Sequence, residues 1–269
     1  MSETHPALIR ANGSKVIQLS HSQTTTTPMK KRIGLLGGIS HESTITYYRA
    51  LMEKYFQKNG DYYYPEVVIF SLDFQKCTDY ENTKNTPVYI DYILTGITAL
   101  KAAGADVVAM CANSPHAMYS EVSERAGVPM ISIVETCAAQ AKRQQIKSAL
   151  LLGIKFTMQS SFYLDVFTKE SITIVTPSEA EQNEINSIIF KELVIGTINP
   201  ESKRRFLEII ESYPCDAVIL GCTEIPQLIG QQDTKKIVLN PLDLHVDALL
   251  AYSLGEEGNT PLLMVRAKV

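Results

Sequence analysis

Two stretches of this chain end an apolar run in a thiol or beside one: "VVAMCANSPH" at residues 107–116 and "CDAVILGCTE" at 215–224. A thiolate is both a strong nucleophile and a proton carrier, and a thiol at a helix N-terminus has its pKa lowered toward neutrality. Cys222, at the strand–helix junction of "GCTE", has that setting and is the candidate acid/base. A lone cysteine is most often a small buried hydrophobe, and Cys77, Cys137 and Cys215 read as such. Cys111 is harder to place. Setting the two stretches side by side pairs Asp106 with Asp216, Cys111 with Gly221 and Ala112 with Cys222. Consecutive strand residues point to opposite faces, so Cys111 should point away from where Ala112 points. Cys111 therefore reads as packing, and Ala112 takes the place equivalent to the reactive thiol. His116, His245 and Glu224 are supporting candidates near these junctions. A lone histidine early in a helix is more often structural, but either could orient or charge a thiol.

Those residues need strands and helices to hold them. Apolar runs at 33–36, 66–74, 105–112, 128–133, 147–153, 172–177, 215–221 and 235–240 read as strands. Helical patterns alternate with them. Tyr48, Leu51, Met52, Tyr55 and Phe56 recur at the spacing of one helix face, with Ser40 as N-cap and Gly60 just past the end. Ser114, Thr157 and Thr223 also read as caps. Alternating strands and helices mean α/β with mainly parallel sheets. The restart of the pattern near residue 147, with Gly37 and Gly153 after similar strands, points to two pseudo-symmetric lobes with an active site in the cleft between them. The expected division is a disordered leader at 1–28, a first lobe of 29–131 plus 240–258, a second lobe of 132–239, and a tail at 259–269.

Ligands of open parallel sheets bind beyond the carboxyl ends of the strands. Four such ends carry polar residues: Gly37–Ser40, Ala112–Ser114, Gly153–Thr157 and Cys222–Glu224. Each runs into an expected helix start, which suits an anion. A small carboxylate fits that geometry. The net charge of −4 and the lack of any basic block argue against nucleic acid, and no apolar run reaches membrane-span length. "GLLGG" is not a dinucleotide fingerprint, and no phosphate loop, GxSxG elbow, CxxC or HExxH appears, so no metal site is expected. Five scattered cysteines make no disulfide framework and suit a reducing cytoplasm.

"GLLGGISHEST" (34–44), "ANSPH" (112–116), "LLGIKFTMQSSFY" (151–163) and "LGCTEIP" (220–226), in this order, resemble the aspartate/glutamate racemase family. The resemblance implies racemisation without pyridoxal phosphate or other cofactor, commonly by a homodimer. It implies a cysteine from each lobe facing the substrate α-carbon, one removing a proton and the other returning one. By motif, Cys222 matches the second-lobe cysteine, and Gly38, Ser40, Asn113, Ser114, Thr157 and Thr223 would bind carboxylates. The chain departs from the family at the first-lobe cysteine, where Cys-Asn-Thr-x-His is replaced by Ala112-Asn113-Ser114-Pro115-His116. It departs again at "LNPLDLH" (239–245), which replaces an Asp-Ser/Thr-Thr stretch. The expected function is acid/base chemistry at the α-carbon of aspartate or glutamate by Cys222. A one-base exchange or decarboxylase-like enzyme, and a non-catalytic carboxylate-binding protein, stay open.

Overall fold

The computed structural model describes residues 30–256 apart from Lys84. The expected leader at 1–28 and tail at 259–269 lie outside the described residues. In chain order the elements begin β1 (Ile33–Gly37), α1 (His41–Asn59), β2 (Val67–Ser71), α2 (Phe74–Thr83), α3 (Thr86–Ala102), β3 (Val107–Met110), α4 (Tyr119–Arg125) and α5 (Ile133–Arg143). They continue β4 (Ser148–Leu152), α6 (Lys155–Gln159), α7 (Phe162–Lys169), β5 (Thr173–Val175), α8 (Glu179–Lys191), α9 (Pro200–Ser212), β6 (Ala217–Leu220), β7 (Ile237–Leu239) and α10 (Pro241–Ser253). Two parallel sheets result, ordered β2-β1-β3 and β5-β4-β6-β7.

The halves repeat one another in detail. The Asp106 carboxylate accepts from the Arg32 N–H at the start of β1, and the Asp216 carboxylate accepts from the Lys147 and Ser148 N–H groups at the start of β4. At the other end, the Cys111 N–H donates to the Leu36 carbonyl and the Gly221 N–H to the Leu152 carbonyl. Cys111 and Gly221 are thus equivalent, as are the next residues, Ala112 and Cys222.

Strand alternation sorts the apolar side chains into three cores. Ile33, Leu35, Val107, Ala109 and Cys111 of the first sheet join Ala149, Leu151, Ala217 and Ile219 of the second, through residues of α1, α5, α7 and α10. Leu36, Val108, Met110 and Ala112 pack outward against α3 and α4. Leu150, Leu152, Val218, Leu220 and Cys222 pack outward against α8 and α9. Ala112 and Cys222 therefore share the outer faces, and Cys111 lies inside.

Several local expectations are corrected. Helix α1 buries Tyr47, Leu51 and Tyr55, while Tyr48 and Phe56 are 46% and 41% exposed. The aromatic pattern fitted two adjacent faces, and the core selected the one containing Tyr47. The strand at 66–74 stops at Ser71, because the Asp73 carboxylate accepts from the Gln75 and Lys76 N–H groups and starts α2. The strand at 128–133 shrinks to a single bridge between Val108 and Met130, because Ser132 caps α5 at once. Ser114 opens a five-residue 3-10 helix without capping it. Thr157 is the third residue of α6, which follows Ile154, and is not its cap.

Candidate active site

The carboxyl ends of β1, β3, β4 and β6 converge on one cavity of about 340 Å3. Ser40, Ala112, Asn113, Ser114, Thr157, Cys222, Thr223 and Glu224 all line it. Gly38, Cys111, His116 and His245 do not. Gly38 shapes the turn into Ser40: its φ is +86°, and a Cβ there would stand 2.2 Å from the Leu72 carbonyl oxygen.

Glu224 organises the second-sheet wall. It is buried, and its Oε2 accepts from Cys222 Sγ at 2.9 Å and from Thr223 Oγ1 at 2.9 Å. Its Oε1 accepts from Ser40 Oγ at 2.8 Å, a bond between residues 184 positions apart. The Cys222 thiol is therefore set otherwise than its motif suggests. No long helix starts there; a three-residue 3-10 turn begins at Ile225. Burial, then the Glu224 charge and its hydrogen bond, push the thiol well above the ordinary cysteine range. The resting group is a thiol aimed at a carboxylate. Thr223 bonds to Glu224 and caps nothing. Of the four strand ends, only that before α1 opens a long helix, so helix-dipole support for an anion is confined to Ser40.

The donors sit around this pair. Tyr163 of α7 donates to Asn113 Oδ1 at 2.7 Å, fixing the Asn113 amide with its nitrogen as a donor. The Thr157 hydroxyl is buried, lines the cavity and has no hydrogen-bond partner among the described residues. Its counterpart after β1, Thr44, is fully used: Oγ1 accepts from the Gly38 N–H and donates to the Ser40 carbonyl. An unpaired buried hydroxyl costs about 1–3 kcal/mol, and a ligand oxygen would remove that cost.

The two histidines serve the frame. His116 Nε2 accepts from the Ile133 N–H at 3.2 Å, so Nδ1 carries the proton and donates to the Ala112 carbonyl at 2.8 Å. His245 Nε2 donates to the Ile131 carbonyl at 3.0 Å, and Nδ1 accepts from Tyr47 Oη at 2.8 Å. Burial holds both neutral, His116 at about 3 with help from the neighbouring His245, and His245 at about 4. Neither touches a thiol. His116 fixes the carbonyl of Ala112 and ties it to the start of α5, while His245 of α10 ties the segment before α5 to Tyr47 of α1.

Sequence reasoning passed over the rest of the wall. Phe74, Cys77, Thr78, Glu81 and Asn82 of α2, Lys155 and Phe156 of α6, and Asn186, Ile189 and Phe190 of α8 line the cavity. The signal for Glu81 was present, since Cys77 and Glu81 are four residues apart and share a helix face. Lys155 is the cation of the described lining, with Nζ 2.8 Å from Asn183 Oδ1 and 3.7 Å from Glu179 Oε1.

Comparison with known proteins identifies the family and the fold. The profile of the Asp/Glu/hydantoin racemase family matches residues 36–249. The broad specificity amino-acid racemase RacX of Bacillus subtilis (strain 168) is 26% identical over 202 residues, 72% of this chain and 85% of its own length. An aspartate racemase homologue of Pyrococcus horikoshii OT3 superposes with a TM-score of 0.75 at 33% identity, over 83% of this chain and 99% of that one. The aspartate racemase of Picrophilus torridus shares the fold, with a TM-score of 0.67 at 20% identity over 88% of this chain and 96% of that one.

Proposed function

Because the chain belongs to the Asp/Glu/hydantoin racemase family, we propose that it moves the α-proton of an acidic amino acid, aspartate or glutamate, with Cys222 as acid/base and no cofactor. The observation that carries this reading is the Cys222–Glu224 pair, placed in one cavity with the donors of Asn113, Ser114, Thr157 and Thr223. An α-carbanion forms only if its charge is held by donors near the carboxylate. The Asn113 amide and the Thr157 hydroxyl supply such donors on both sheet ends. Glu224 accepts the proton that leaves the thiol, and a substrate ammonium entering beside the pair favours the ionised form. Lys155 is the group for a second carboxylate. A homodimer and a cytoplasmic setting belong to the same proposal.

A second reading concerns the substrate side chain. Phe74, Phe156, Ile189 and Phe190 give the cavity an apolar wall, which suits a neutral aliphatic amino acid. The broad specificity named for the Bacillus relative fits that reading. Proton NMR in D2O with both enantiomers of aspartate, glutamate, leucine and methionine tests both. Loss of the α-proton signal from aspartate or glutamate supports the acidic reading, and loss from leucine or methionine alone supports the neutral one. Binding without exchange from any of them would overturn α-proton chemistry and leave a carboxylate-binding protein.

A further inference from the structure

Proton return from the opposite face needs a second group, since Ala112 carries a methyl where its counterpart carries the Cys222 thiol. Among the described residues, the titratable groups that reach the cavity from the first-sheet side are Cys77 and Glu81. Cys77 is 1% exposed, and burial pushes its thiol to about 11. Glu81, on the same face of α2, is only partly buried and reaches the cavity wall shared with Ala112, Asn113 and Ser114.

We infer that Glu81 is the acid/base on the substrate face opposite Cys222, in the role that a thiol at position 112 would fill. This rests on the α-proton reading above. Tyr89 Oη donates to Glu81 Oε1 at 3.3 Å, and the Ser114 hydroxyl lies near enough to favour the ionised carboxyl. The Tyr89 bond holds the carboxyl of a residue that lines the same cavity as Ala112 and Ser114 at the end of β3. A methyl at 112 leaves the space before Ser114 to the longer side chain. Burial raises the Glu81 pKa, and the neighbouring Ser114 and Tyr89 hydroxyls only partly offset it. A carboxyl raised toward neutrality is suited to both giving and taking a proton.

The step balances without a further reactant. The Cys222 thiolate takes the α-proton from one face, and the C–H electron pair is left on the α-carbon and spread into the carboxylate. The Glu81 carboxylic acid gives its proton to the other face. A new C–H bond forms as the O–H bond breaks, leaving a thiol and a carboxylate. The reverse direction exchanges the roles.

The test uses full-length wild type, Glu81→Gln and Ala112→Cys/Glu81→Gln, with each enantiomer of aspartate, glutamate and leucine in D2O. Inversion is followed by chiral chromatography and α-exchange by proton NMR. Glu81→Gln is expected to lose inversion by about 10²-fold or more, yet to exchange the α-proton of the one enantiomer that presents it to Cys222. A collapse of the site would remove both. The added thiol of Ala112→Cys is expected to restore inversion in the Glu81→Gln background. Inversion at the wild-type rate in Glu81→Gln overturns the Glu81 assignment and leaves Cys222 standing. So does loss of exchange from both enantiomers in a variant with wild-type circular dichroism. A wild type that exchanges none of the probes overturns the α-proton reading itself, and the Glu81 role with it.

Discussion

At the scale of single residues, the site depends on two side chains, a hydrogen-bonded thiol and an unpaired hydroxyl. The Cys222 thiol is held protonated by burial and by Glu224. Replacing Glu224 by Gln removes the charge and weakens the acceptor, so the thiol should titrate lower. The pH profile of Cys222 alkylation, read by peptide mass spectrometry, should shift to lower pH while turnover falls; an unmoved profile would contradict the pairing. Thr157 is the other. Thr157→Val deletes a buried hydroxyl that lacks a partner, so the ligand-free protein should gain about 1 kcal/mol. Substrate KM should rise roughly 10-fold, the equivalent of one hydrogen bond. Thermal melts and steady-state kinetics measure both, and a destabilised variant with unchanged KM would remove Thr157 from the substrate site. The short motifs made Cys222, Asn113 and Ser114 legible in the sequence, because they sit at strand ends. The thiol's raised pKa was not legible, because it depends on a carboxylate bonded to Ser40, 184 residues away. Glu81 was hidden because no helix was expected directly after the strand read to residue 74, where α2 runs.

At the scale of elements, the ends of β4 and β6 must approach closely. A Cβ on Gly153 would stand 2.9 Å from the Gly221 carbonyl oxygen and 3.2 Å from Thr157 Cβ. Gly153→Ala should therefore push β4 and α6 away from β6, displacing Thr157 from Cys222. The expected outcome is a folded protein, by circular dichroism, with turnover lowered at least about 10-fold, since small misplacements at a reacting centre are costly. Turnover at the wild-type level would show that this approach is not needed. The central strands were legible because each is an unbroken apolar run. The chosen face of α1 was not, because Tyr48 and Phe56 fit the helical period as well as Tyr47 and Tyr55 do. Only packing against α10 and the sheet decides between them.

At the scale of the whole molecule, the two halves are joined by a shared core and by the Ser40–Glu224 and Tyr163–Asn113 bonds. The buried His116 and His245 lie within this joint. Both have pKa values held below the ordinary 6.5, at about 3 and about 4, so the unfolded chain takes up protons that the folded chain refuses. Their stabilising contribution is full above about pH 6.5 and is lost as pH falls through the window toward 4 and 3. Glu81, whose pKa is raised, acts with the opposite sign. The thermal midpoint should be flat between about pH 7 and 8, below the range in which thiols titrate, and drop between 6.5 and 4.5, before most carboxylates titrate. A midpoint constant down to pH 4.5 would contradict neutral burial of the pair. The pseudo-symmetry was legible from Asp106 and Asp216, and it also exposed a place where the halves differ in chemistry, Ala112 against Cys222. The most direct test of the account compares wild type with Cys222→Ser in D2O, following the α-proton of each enantiomer of aspartate and glutamate by NMR. The account predicts exchange by the wild type and a fall of about 10²–10⁴-fold in the variant; exchange at an equal rate in both would contradict it.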